Sequence, residues 1–124
     1  MAEGELVPLV LLPRYTTYAG ACTAGKEFVT IAMDVTQYQT AIVNAWRGKL
    51  LGTSPTIAMV LEESSDQVTW FTCTGGASFD PGEETEVQKN AELNKRWFRI
   101  KVTLGGTSPV ATCWAVGFLE QRLS

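Results

Sequence analysis

The sequence predicts an all-β fold of about eight antiparallel strands in a jelly-roll-like β-sandwich with an extended N-terminal arm. Three observations predict it. Apolar residues fall in short segments that alternate with polar ones at a period of two. Gly, Pro, Thr and Ser separate these segments at intervals suited to turns between strands. No window carries a helical stripe long enough to compete. Eight strands in one domain call for two packed layers, because a single open sheet leaves a broad face wet.

Each element has its own justification. Leu6-Val7-Pro8-Leu9-Val10-Leu11-Leu12-Pro13 is too apolar for water, and its two prolines bar it from a central strand. We therefore expect an extended arm over residues 1–13, laid along its own domain as an edge strand or across a neighbouring subunit, and a single domain over 14–124. Strands follow near Glu27 to Val35, Thr40 to Trp46 and Thr56 to Ser64, with a helical turn allowed between Asp34 and Arg47. Ile57, Met59 and Leu61 form the inward row of the Thr56 strand. Val68 to Cys73 and Glu84 to Asn90 are shorter candidates. Lys95 to Leu104 is the firmest: Phe98, Ile100, Val102 and Leu104 make a core row, while Trp97, Arg99 and Lys101 lie on the other side. In Val110 to Leu119 the large row of Val110, Thr112, Trp114, Val116 and Phe118 is expected inside. The small row of Ala111, Cys113, Ala115, Gly117 and Leu119 is left for close approach of another layer. Gly52-Thr53-Ser54-Pro55 and Gly106-Thr107-Ser108-Pro109 are the same tetrapeptide, each a turn before an apolar strand.

Charge is distributed unevenly. The net charge is −3, but it runs along the chain as 0 over residues 1–57, −7 over 58–92 and +4 over 93–124. Either the two blocks neutralise one another in the fold, or they lie apart and set contacts between copies. The acidic total gives no reason to seek nucleic acid. Three widely spaced cysteines, Cys22, Cys73 and Cys113, fit neither a disulfide framework nor a metal site. Cys113 is expected to be a buried thiol. The acidic start at Glu3 and Glu5 and the short apolar run after it suit neither secretion nor membrane insertion.

The chemistry of catalysis is hard to assemble from these residues. There is no histidine, which removes the commonest general base and metal ligand. No Gly-rich loop opens a helix to cradle phosphate. The acidic turn Asp80-Pro81-Gly82-Glu83-Glu84-Thr85-Glu86, with Glu62, Glu63 and Asp66, could gather a calcium ion or a carboxylate pair, but its spacing matches no calcium loop and a solvated turn explains it. We expect no enzyme, no cofactor and no metal. Trp97, beside Arg99 and Lys101, is the best candidate for an exposed aromatic, whether for packing, subunit contact or sugar stacking.

The order Val60-Leu61-Glu62-Glu63-Ser64-Ser65-Asp66-Gln67-Val68-Thr69-Trp70, an acidic Pro-Gly loop, then Arg96-Trp97-Phe98-Arg99-Ile100-Lys101-Val102-Thr103-Leu104-Gly105-Gly106 resembles small β-sandwich proteins of tailed-bacteriophage heads. In those a strand ending in E-S-x-D turns into x-x-W, and a later aromatic-Arg strand ends in L-x-G before an Ala-rich strand. Ser65 lengthens the first turn here, and Ala111 and Ala115 occupy the last strand. The resemblance spans residues 58–120. It implies a capsid decoration or cement protein, made in the host cytoplasm, that binds the virion surface in many copies, commonly as a homotrimer bridging major capsid proteins. The motifs identify turns and core, so no binding residue carries over. The sequence itself offers Leu6, Val7, Leu9 and Leu11 of the arm, with Trp97, Arg99 and Lys101, as the assembly interface. A carbohydrate-binding module or lectin-like sandwich, and a phage neck or tail component, are the competing readings.

Overall fold

The two apolar rows near the C-terminus belong to one strand that organises the molecule. A computed structural model describes residues 5–19 and 26–122, and among these residues there is no helix. Eight strands form an antiparallel, curled sheet: β1 (Leu6–Ala19), β2 (Lys26–Val29), β3 (Met33–Asp34), β4 (Tyr38–Arg47), β5 (Leu51–Ser64), β6 (Phe71–Thr72), β7 (Thr85–Glu92) and β8 (Trp97–Gln121). The fold is the all-β, jelly-roll-like sandwich expected from sequence.

β8 lies at the centre. On one side it pairs in turn with β1, β2 and β3; on the other, with β4 and β5. Its first half sits in the order β6-β5-β8-β2/β3, and its second half in the order β7-β4-β8-β1. The halves meet at the repeated tetrapeptide. Neither copy is a hairpin turn: they are neighbours on β5 and β8, with Thr53 paired to Thr107 and the register shifting on both sides of that pair. Gly52 and Gly106 have φ of 121° and 95°, and Ser54 and Ser108 have φ of 50° and 49°. A bulge of this kind bends a strand and adds twist. Two bulges face to face turn the whole sheet, so that both halves enclose one core.

The bend also explains why one face assignment from sequence was inverted. Before it the inward residues of β8 are even-numbered: Phe98, Ile100, Val102 and Leu104 are at most 1% exposed. After it they are odd: Ala111, Cys113 and Ala115 are fully buried and Leu119 nearly so. A one-residue slip exchanges the faces of a strand. The small row is therefore the core row, packed with Ala41, Val43 and Ala45 of β4, and the large row expected inside faces outward, Trp114 and Val116 half-buried and Phe118 exposed.

The inward row Ile57, Met59 and Leu61 is found as expected. No helical turn interrupts Asp34 to Arg47. The Asp34 carboxylate accepts the Thr36 N–H and hydroxyl at 3.0 and 2.7 Å, making a tight turn that leads directly into β4. The Glu27 to Val35 segment divides into β2 and β3, and the first strand runs past Pro13 to Ala19. Residues 1–4 of the expected arm and Cys22 lie outside the described residues.

Candidate functional site

The outward row of the first half of β8 is occupied by partners from its own chain. Register places Glu62 opposite Arg99. Its carboxylate takes Arg99 Nε at 2.9 Å and Lys101 Nζ at 3.4 Å, with the Glu62 side chain only 9% exposed. The Arg99 guanidinium also lies 3.9 Å from the centre of the Trp70 ring, and that of Arg96 lies 4.9 Å from the Trp97 ring while pairing with Asp34. Trp97, Arg99 and Lys101 thus share one face, half-buried and charge-compensated, and the aromatic expected to be exposed at Trp97 is covered by Arg96. Here the acidic and basic blocks of the sequence are neighbours and neutralise one another.

The other clustered acids are likewise engaged. Glu63 accepts the N–H groups of Asn94 and Lys95 at 2.8 and 3.1 Å. Asp66 folds the Ser64–Thr69 turn: the Thr69 and Val68 amides, and then the Ser64 hydroxyl, donate to its carboxylate and hold its pKa below the usual aspartate range. For Asp80 burial pushes upward, but the bidentate Arg47 guanidinium and the Gly82 amide outweigh it and the net shift is downward. Among the described residues no three potential metal ligands converge. Among the described acids that make no ion pair, Glu83, Glu84, Glu86 and Glu92 cluster around or on β7.

The candidates on β1 divide between the two sides of the strand. β1 packs along β8 of its own chain, with Leu9 and Leu11 in the core, Val7 half-buried and Leu6 53% exposed. Its outward row, Leu6, Pro8 and Val10, continues a face that sequence reasoning did not find. Register assembles it row by row. Asn90, Ile42, Phe118 and Pro8 align across β7, β4, β8 and β1; the next row is Gln88, Asn44, Val116 and Val10. At the end nearest the bend stand Glu86, Trp46 and Trp114, with the Arg14 guanidinium 4.6 Å from the centre of the Trp114 ring. The two indoles stack at 4.5 Å and 14°. Val10 and Phe118 are 59% and 42% exposed, and a shallow groove runs between them, bordered by Pro8, Arg14, Asn44 and Val116. The face is apolar along β1 and β8, and polar to acidic along β7. Gly117 sits within it with no room for a side chain against the Ile42 carbonyl, which keeps β8 and β4 tightly apposed. The inverted large row of β8 is what hid this face; the phase-shifting tetrapeptides were the signal that would have exposed it.

No family model matches the chain, and no curated protein matches it in sequence. Among solved structures it is similar to a chain of the cyanophage Pam1 capsid asymmetric unit, with a TM-score of 0.52 and 12% identity over 97% of this chain and 87% of that one. It is also similar to a family 29 carbohydrate-binding module, with a TM-score of 0.43 and 12% identity over 94% and 88% of the two chains. The first likeness is one of fold.

Proposed function

We propose that the chain is a structural protein of a virus head, a decoration or cement protein that binds the assembled shell in several copies and reinforces it by contact alone. The observation that carries this reading is the outward face of β7-β4-β8-β1. It is a broad sheet surface with exposed Leu6, Val10 and Phe118 and a polar margin, the composition of a protein contact rather than of a reaction cleft. A fold shared over nearly the whole chain with a component of a cyanophage capsid unit supports it. The partners are the major capsid protein and further copies of this chain, and the place of action is the virion surface after synthesis in the host cytoplasm.

The test is co-sedimentation of the purified chain with heads stripped of accessory proteins, followed by heat or denaturant challenge of the particles. Saturable binding that raises the temperature of shell disruption, and that is lost in Phe118→Glu, is expected. Failure to bind heads, or binding to isolated tails alone, would sink the reading.

One observation favours a second reading: Asn44, Gln88 and Glu86 border the Trp46–Trp114 stack, a polar and aromatic pairing used for sugars. Against it, each of the four tryptophans already stacks on a cation or ring of its own chain. Glycan-array binding abolished by Trp46→Ala would establish the sugar reading instead.

A further inference from the structure

We propose that the outward face of β7-β4-β8-β1 pairs with the same face of a second copy about a two-fold axis parallel to the strands. The inference rests on reading this face as a contact surface and adds its partner and its register. The row nearest the bend, Glu86-Trp46-Trp114-Arg14, carries an acid at one side of the sheet and a base at the other. Neither Glu86 nor Arg14 makes an ion pair among the described residues.

A two-fold axis running between β4 and β8 lays β7 of one copy over β1 of the other and keeps every row at its own level. Arg14 then meets the partner's Glu86, and symmetry makes that pair twice. Two rows further along, Ile42 meets the partner's Phe118, again twice, so the exposed aromatic is covered at the centre and the charges lie at the rim. The other two-fold, perpendicular to the strands, lays β7 over β7 and reverses the rows, which would set Glu86 against the partner's Glu92 and is opposed by like charge. Size is consistent as well. Four strands about 4.8 Å apart and four rows about 7 Å apart give a face of about 500 Å² per copy, or about 1,000 Å² in total, at the lower bound for a specific interface. Such a dimer is reversible.

Sedimentation velocity of the full chain across micromolar to millimolar concentrations tests the pairing. A monomer–dimer equilibrium is expected. Arg14→Glu and Glu86→Arg should each weaken dimerisation by about tenfold, because an exposed pair worth a few-fold is lost twice. The double variant should restore it. All three changes are at exposed positions, and an unchanged near-ultraviolet spectrum checks the fold. A chain that stays monomeric, a closed trimer, or a double variant no better than the singles would overturn the proposal. The head-binding assay is read separately. A monomer that binds heads sinks this inference and keeps the one above, and a dimer that ignores heads does the reverse.

Discussion

Gly106→Ala probes the bend that makes two layers out of one sheet. Gly106 has φ of 95°, a region that costs an L-residue roughly 1–2 kcal/mol. A Cβ there would also meet the Ser54 and Thr53 carbonyl oxygens of the paired strand at 2.5 and 2.7 Å, distances that real Cβ atoms do not show. Relief requires β5 to move away at its own bulge, which adds roughly 2 kcal/mol by analogy with overpacked cores. Gly82 supplies the control. Its φ is 94°, yet a Cβ there would meet only the Thr85 side chain at 3.6 Å. Gly82→Ala should therefore cost the backbone penalty alone. Urea unfolding followed by tryptophan fluorescence is expected to place Gly106→Ala about 3–4 kcal/mol below the parent chain and about 2 kcal/mol below Gly82→Ala, roughly thirtyfold in the unfolding equilibrium. Equal losses for the two variants would refute the reasoning, because they would mean that the facing carbonyls do not constrain the corner.

Two further outcomes follow from the buried polar and thiol groups. Glu62→Gln leaves Arg99 and Lys101 without their shared carboxylate in a half-buried setting and should cost about 2 kcal/mol; a double-mutant cycle with Arg99→Met should return a coupling of about 1 kcal/mol or more, and additivity would count against the pair. Burial pushes the Cys113 thiol up to about 11, and burial followed by the Glu63 and Glu62 carboxylates pushes Cys73 to about 12. In a Cys22→Ser background the folded chain should resist thiol reagents at pH 8 and react rapidly in urea. The sign for stability is fixed by the raised values: the thiols stabilise nothing extra below the ordinary thiol pKa near 9, where both states are protonated, and from there upward the unfolded state ionises first, so stability should fall between about pH 9 and 11. Stability flat across that range would contradict their burial.

Within single strands the sequence was legible because a strand's period is local. The alternation of Phe98, Ile100, Val102 and Leu104 against Trp97, Arg99 and Lys101 is imposed by backbone geometry over a few residues, and these rows face where expected. Ile57, Met59 and Leu61 follow the same rule. The Ser64–Asp66 turn was legible too, since short polar side chains capture nearby amides. Less legible was Val110 to Leu119. Size alone placed Trp114 and Phe118 inside, but the second half of the sandwich packs through Ala41, Val43, Ala45, Ala111 and Ala115, and large side chains there have no volume to occupy.

What the sequence determined by itself is the class of fold, the strand rows and the poverty of catalytic groups, all properties of composition and short-range period. What tertiary structure decided is which rows share a surface. Two copies of Gly-Thr-Ser-Pro separated by about half the chain become one corner only because β5 and β8 pair in a register that sets Thr53 against Thr107. That pairing shifts the phase of β8 by one residue, turns its large row outward and joins it to Leu6, Pro8 and Val10 of a strand from the other end of the chain. The contact face is therefore a product of long-range register, which depends on how whole strands bury their surfaces together, and its mark in the sequence is the repeated tetrapeptide, whose meaning appears only when the two copies are paired.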